Sequence, residues 1–353
     1  MADSKMTPMV TVVIPMFNAC PFIGEMLECI EKQTYTNWEL IVVDDGSTDE
    51  SVATVQSYAV NDDRIKLIKR PDDRNKGGNT CRNIGFENAR GKYIIWFDAD
   101  DLIAPFCFEQ RVNFIQNHSE IDFAIFPLLS FSRKPYDRYD HSYGFYWGED
   151  VICKFISNFP PFVIVSNIYN LDTLKSKGIK WDEQLRSHQD VDMNLECISK
   201  KLKYMHDTRA LPDYFWRLEG NHESVSKKIY SASHLQTNIY YFNKQVARYE
   251  HDIKYRTSLH LLANYVFKVL LFQSDKTFVD HFLENNYFTK HKWLKYRFHI
   301  INRFQHHFKF NSHIPANLST LLFMPMIELK YRLEARKWLQ SQRKFAQSFR
   351  TKR

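Results

Sequence analysis

Long hydrophobic runs are missing from this chain. The longest apolar stretch, residues 261–272, is interrupted by Lys268, whereas a membrane-spanning helix needs about 20 apolar residues. No spanning helix is expected. The first nine residues are short and polar and have no apolar core of a secretory signal. Cysteine is sparse and scattered: Cys20, Cys29, Cys81, Cys107, Cys153 and Cys197 form no C-x-x-C pair and have no clustered histidines beside them. That pattern argues against a zinc site or a disulfide scaffold and suits a reducing cytosol. The glycine loops G-x-x-x-x-G-K-[ST] and G-x-G-x-x-G are both absent, as is the D-x-D-x-D-G calcium loop. Internal repeats and low-complexity segments are absent too.

What is present is an aromatic, unevenly charged chain. Its 353 residues exceed the ~250–300 at which a single core stops growing, which implies one main domain and an appendage. A hydrophobic fraction of 44% with 15% aromatics supplies a sizeable core and excludes a mainly disordered chain. Residues 251–353 hold 19 Lys and Arg against 6 Asp and Glu, while the rest holds 29 against 35. The two parts therefore have different jobs or partners.

Over the first 130 residues short apolar runs alternate with helical patterns. Strands are expected at 10–15, 38–43, 65–68, 93–97 and 121–126. Helices are expected at 21–32, from a Thr48/Asp49 cap to about 58, and at 78–89, 105–117, 171–178 and 190–202. Such alternation predicts a mainly parallel sheet covered on both faces. Ligands of such sheets sit at the carboxyl ends of the strands. Here those ends carry Asn18, then Asp44-Asp45-Gly46-Ser47, then Asp98-Ala99-Asp100-Asp101. Residues 131–165 resist assignment, and from about Ser231 the chain turns helical, basic and aromatic, broken at Pro315 and Pro325.

Asp98 and Asp100 flank the small Ala99 at a strand end, so both can turn toward one hard cation, Mg²⁺ or Mn²⁺, that bridges a diphosphate. Asp44 or Asp45 can accept hydrogen bonds from a base or ribose, with Gly46 permitting the turn. The segment Asn75–Asn83 is glycine-rich and opens a helix, which favours anions near Gly78; Arg82, one turn in, can reach a phosphate or brace the Asp98 loop. Asp190 opens a helix and suits a general base on an acceptor hydroxyl, with Asp192 as runner-up. In Tyr214–Ser224 aromatic faces can stack on sugar rings, and Arg217 and His222 can meet a leaving diphosphate or its metal.

Taken in order, Val12-Val13-Ile14-Pro15-Met16-Phe17-Asn18, Val42-Val43-Asp44-Asp45-Gly46-Ser47-Thr48-Asp49, Arg82-Asn83-Ile84-Gly85 and Phe97-Asp98-Ala99-Asp100-Asp101 closely resemble the family 2 inverting glycosyltransferases of the GT-A fold, over about residues 8–228. The resemblance implies a GT-A catalytic domain at 1–228 and a basic, aromatic helical region at 229–353. It places Pro15 and Asn18 beside the nucleotide, Asp44 or Asp45 on base or ribose, and the metal on Asp98 and Asp100. Asp190 falls on the second position of the family's Glu-Asp pair, where the base lies, and Gln189 stands where the family has Glu. The implied donor is a nucleotide-sugar, a UDP-sugar by family habit. The implied acceptor is a glycan or lipid-linked sugar, in the making of a surface polysaccharide or glycoconjugate.

In the basic tail Leu294, Phe298, Ile301, Phe304 and Phe308 fall at helical spacing, and Tyr331, Ala335, Trp338, Phe345 and Phe349 repeat the trend. Such helices suit either packing on the first domain or, over 290–353, an anionic membrane surface. A cytoplasmic protein lying peripherally on the inner face of the cell membrane is expected, with no nucleic-acid partner because no recognition module is visible. A nucleotidyltransferase or sugar-nucleotide hydrolase also uses paired carboxylates but needs no base at Asp190. A non-catalytic sugar-nucleotide scaffold anchored by its tail would lack Asp98, Asp100 or Asp190, and all three are present.

Overall fold

The computed structural model describes residues 9–138, 142–144, 150–218, 231–271 and 276–308, with a few positions between 333 and 348. Pro315, Pro325, His222 and most of the tail lie outside the described residues.

The central strands form because each is a nearly unbroken apolar run that is buried on both faces, whereas the edge strand over 65–69 alternates with lysine and is half-buried. β1 (Val10–Met16) and β2 (Trp38–Asp44) are buried almost throughout, as a central parallel strand must be. They pair in parallel with each other, with β3 (Ile65–Lys69) beyond β2 and β4 (Tyr93–Trp96) beyond β1. β9 (Asn167–Asn170) lies antiparallel between β4 and β6 (Phe123–Ile125), and β10 (Tyr204–His206) closes the far edge, giving seven strands in the order β10-β6-β9-β4-β1-β2-β3. A second sheet of four short strands, β5 (Leu102–Ile103), β11 (Tyr214–Arg217), β7 (Leu128–Phe131) and β8 (Ser142–Tyr143), runs in the order β5-β11-β7-β8.

The helices α1 (Cys20–Glu31), α2 (Ser51–Ala59), α3 (Gly78–Asn88) and α4 (Cys107–Asn117) connect the strands. α2 starts two residues beyond the expected Thr48/Asp49 cap. Asp49 instead turns its carboxylate to the backbone N–H of Ser51 and of Cys20, tying the starts of α2 and α1 together. α3 sits hard on the sheet: a Cβ on Gly85 would overlap the Val13 side chain. That close approach carries Arg82, one turn earlier, over the strand ends.

The segment 131–165 resolves into β8, α5 (Val151–Ile156) and a 3₁₀ turn at Ile164–Ser166. α6 (Leu171–Ser176) follows β9, and α7 (Gln189–Ser199) precedes β10. The chain after residue 231 forms α8 (Ala232–Tyr249), α9 (Arg256–Leu271), α10 (Lys276–Leu283), α11 (Asn286–Lys290) and α12 (Lys292–Phe308). Their apolar faces join the same core as the large sheet: one cluster of buried side chains runs from Ile14 and Ile95 to Leu262 and Phe298. In the basic stripe Leu294, Phe298 and Ile301 are buried, and Phe298 stacks on Phe267 of α9 at 4.1 Å. This part of the stripe packs inward; the side chains of Phe304, Phe308 and the second stripe's apolar residues lie outside the described ones.

Candidate active site

β4, β1 and β2 are neighbours and parallel, so their carboxyl ends open at one place. The turn after β2 is self-contained. The Asp44 carboxylate accepts from the N–H groups of Gly46 and Ser47, and Gly46 takes a positive φ of 87° to allow it. Asn18, also at positive φ, links the β1 end to this turn by accepting from the Thr48 N–H at 2.8 Å. Pro15 stands in β1 opposite Val43. Asp45 is buried and accepts from the Arg70 side chain at 2.6 Å and the Gly77 N–H at 3.1 Å, which fixes the loop leading into Gly78 at the start of α3.

Arg82 is the junction of the site. Its guanidinium donates to Asp98 at 2.8 Å and to Gln189 at 3.1 Å, and lies 4.6 Å over the Trp181 ring. It therefore braces the Asp98 loop, and the single residue joins the strand end of β4 to the first residue of α7. The neighbouring carboxylates part company. Asp98 keeps 39% of its side chain exposed. Desolvation pushes its carboxyl upward, with Asp100 adding to the rise and Arg82 opposing it. Asp100 is half-buried, and its carbonyl accepts from the Arg217 side chain at 2.7 Å. Asp101 turns inward, accepting from the Tyr214 hydroxyl at 2.5 Å and the Arg217 N–H at 2.7 Å. Burial, with Asp100 and Asp98 adding to it, holds Asp101 well above the usual carboxylate range. It braces the loop. Arg217 also pairs with Glu25 at 2.5 Å, and Ala99, between Asp98 and Asp100 in the chain, is buried.

A divalent cation fits this arrangement. Two hard oxygen donors, Asp98 and Asp100, stand at one half-buried turn, and among the described residues no group of three His, Cys, Asp or Glu side chains forms a closed cage. Mg²⁺-type sites use one or two carboxylates and leave the remaining positions to water and phosphate.

Asp190 lies in the first turn of α7, facing the 3₁₀ turn, where its carboxylate accepts from the Ile164 N–H at 3.4 Å. Desolvation lifts its carboxyl to about 6, with the Asp98 charge adding and Arg82 opposing. Asp192 points the other way, buried, and accepts from Lys244 at 2.8 Å and Gln245 at 3.2 Å. It serves α8.

Two parts of this neighbourhood had no signal in the sequence. α8 grips the helix that carries Asp190: Lys244 bridges Asp182 and Asp192, Arg248 pairs with Glu196, and Asn238 meets the ring of His188 at 2.8 Å. His188, at positive φ just before α7, stacks on Tyr241 at 4.4 Å. The second part is Tyr143 on β8, close enough to Asp190 that the carboxylate's charge adds to the burial that raises its phenol.

Comparison with known proteins agrees with this fold. Residues 11–165 match the model of glycosyl transferase family 2. An uncharacterized glycosyltransferase of Haemophilus influenzae is 41% identical over 113 residues, 31% of this chain and 44% of that one. A putative teichuronic acid biosynthesis glycosyltransferase of Bacillus subtilis, TuaG, is 30% identical over 136 residues, 38% of this chain and 53% of its own. The chain thus spans about half the length of these relatives. Among solved structures, S. aureus TarS 1–349 in complex with UDP-GlcNAc superposes with a TM-score of 0.55 at 18% identity, covering 98% of this chain and 92% of that one. The mannosyltransferase PcManGT from Pyrobaculum calidifontis, in complex with GDP-Man and Mn²⁺, gives 0.51 at 16% identity over 98% and 87%. Residues 11–165, the segment that carries β1, β2, β4 and their carboxyl ends, are thus similar to glycosyl transferase family 2.

Proposed function

We propose that this chain is an inverting glycosyltransferase that moves a sugar from a UDP-linked donor to a glycan or lipid-linked acceptor in surface polysaccharide or glycoconjugate synthesis. The observation that carries the reading is Arg82, whose one guanidinium holds both Asp98 and the α7 terminus that presents Asp190. A leaving-group site and a proton acceptor are thereby fixed to each other. The relatives' names and the nucleotide-sugars bound by the structural neighbours support the substrate class.

The nucleotide would lie across the ends of β1 and β2, against Pro15, Asn18 and the Asp44–Ser47 turn, with the Gly78 end of α3 nearby. Asp98 and Asp100 would hold Mn²⁺ or Mg²⁺; His222 remains a candidate further ligand outside the described residues. When bound, that cation supplies positive charge to the departing diphosphate. Asp190 takes the proton of the acceptor hydroxyl. The acceptor oxygen bonds the anomeric carbon as the bond to the diphosphate oxygen breaks, and that oxygen keeps the electron pair. One displacement from the opposite face inverts the anomeric centre. Arg82 keeps Asp98 oriented, and Arg217, held to the Asp100 carbonyl, keeps its loop closed.

The basic 290–353 region would place the enzyme on the anionic inner face of the cell membrane, near a lipid-linked acceptor. No helix among the described residues is long and apolar enough to cross a membrane. A screen of UDP- and GDP-sugars with Mn²⁺ or Mg²⁺, following nucleoside diphosphate release, tests the reading. Release from a UDP-sugar that stops on chelation is expected. Turnover that is indifferent to chelation would remove the metal, and no release from any donor would remove the activity.

A further inference from the structure

The small sheet β5-β11-β7-β8 has one face turned to the site, and its side chains there are divided between structure and surface. Alternation puts Tyr214 and Trp216 of β11 on the same face, about 7 Å apart along the strand. The register of β11 with β7 and of β7 with β8 puts Ser130 and Tyr143 on that face as well. Tyr214 is fully buried and committed to Asp101 and the Asp98 N–H. Phe215, on the opposite face, is buried with Leu129 and Phe131. Trp216 alone of the four β11 side chains is an exposed aromatic, 40% accessible. Its ring centroid lies 6.5 Å from that of Tyr143, at 50°; the next residue, Gly144, donates its N–H to the Pro161 carbonyl at 3.2 Å, three residues before Ile164, whose N–H meets the Asp190 carboxylate. Trp216 and Tyr143 therefore form an aromatic pair on the face of the small sheet that carries Tyr214, and the segment after β8 is tied to the turn that meets Asp190.

Resting on the glycosyltransferase reading, we infer that Trp216, with Tyr143 between it and Asp190, is the platform on which the acceptor's sugar ring stacks. A pyranose presents one face of C–H groups and a rim of hydroxyls. An indole offers a flat, electron-rich surface for the former, and its large apolar area contributes binding without fixing a particular hydroxyl pattern. A ring seated on Trp216 turns its hydroxyl rim toward Tyr143 and Asp190. The Asp98 loop, fastened to the same strand by Tyr214 two residues earlier, holds the donor side. The strand β11 thus sets donor and acceptor at a fixed separation.

The test uses the full chain with its active UDP-sugar, Mn²⁺ and a panel of p-nitrophenyl hexosides, N-acetylhexosaminides and uronides as acceptor probes. Trp216→Ala is expected to raise the acceptor KM about tenfold or more while the donor KM and donor hydrolysis stay within twofold. Trp216→Phe and Trp216→Tyr, which keep a flat ring, should recover most of the loss. An unchanged acceptor KM in Trp216→Ala overturns the platform. So does a donor KM that rises with it, which would place Trp216 on the donor side. Failure of the unaltered chain to release nucleoside diphosphate from any donor sinks the transferase reading itself, a result distinguishable from either of these.

Discussion

At the residue scale, the site turns on how differently neighbouring carboxylates are treated. Asp98 and Asp100 are half-buried, Asp101 is fastened inward by Tyr214, and Asp192 is neutralised by Lys244, whereas among the described residues Arg82 and Asp98 are the charges that act on Asp190. With its carboxyl lifted to about 6, Asp190 must be ionised to serve as the proposed base. The transfer rate should fall as pH drops through about 6, read from kcat/KM between pH 5 and 8. The same shift has a stability consequence. A carboxyl raised on folding favours the folded state below its unfolded value near 4 and loses that advantage as pH rises through 6. Asp190→Asn should therefore match the unaltered protein at pH 4 and exceed it at pH 7.5 by on the order of 1–3 kcal/mol. Urea unfolding at the two pH values checks this. Asp101's inward turn was not legible in the tetrad itself, because its partner Tyr214 lies 113 positions away. Asp98 and Asp100 were legible because a strand end and a two-residue spacing are local facts.

At the scale of elements, the large sheet was readable and the small one was not, for a physical reason. β1, β2 and β4 are continuous apolar runs buried on both faces, so their identity is written in composition. β5 and β8 are only two residues long and are strands only because β11 and β7 pair with them. With them went Tyr143, whose approach to Asp190 depends on the β7–β8 hairpin. The role of α8 was hidden in the same way, since Lys244 and Asn238 matter only through partners in α7 and its approach. Lys244→Met should leave Asp182 and Asp192 facing each other without their shared cation. A loss of about 2–4 kcal/mol is expected on breaking such a part-buried bridge, together with a fall in kcat larger than any change in donor KM. His188, held neutral by burial with its value pushed down to about 4, adds a pH dependence to this clamp. The unfolded chain protonates its imidazole near 6.5 and the folded chain resists until about 4, so its contribution is full above 6.5 and is lost as pH falls through that window. His188→Gln should flatten this limb of the stability profile in thermal melts.

At the scale of the molecule, the sequence divides into a nearly neutral, slightly acidic part and a basic part, yet the structure joins α8, α9 and the start of α12 to the core of the sheet. Residues 290–353 are the segment proposed for the membrane. The full chain should sediment with vesicles containing anionic lipid and lose that binding when truncated after Tyr331, while its donor hydrolysis is retained; binding that survives truncation counts against a tail anchor. One Arg82-linked site is proposed to combine donor release at Asp98 and Asp100 with proton removal by Asp190. The most direct measurement compares Asp190→Asn with the unaltered chain in donor binding and in transfer to acceptor under saturating donor. The expected result is UDP affinity within about threefold and transfer reduced by at least about a thousandfold, from loss of general-base assistance and of the positioning it enforces. Transfer by Asp190→Asn at the unaltered rate, with UDP affinity intact, contradicts the account.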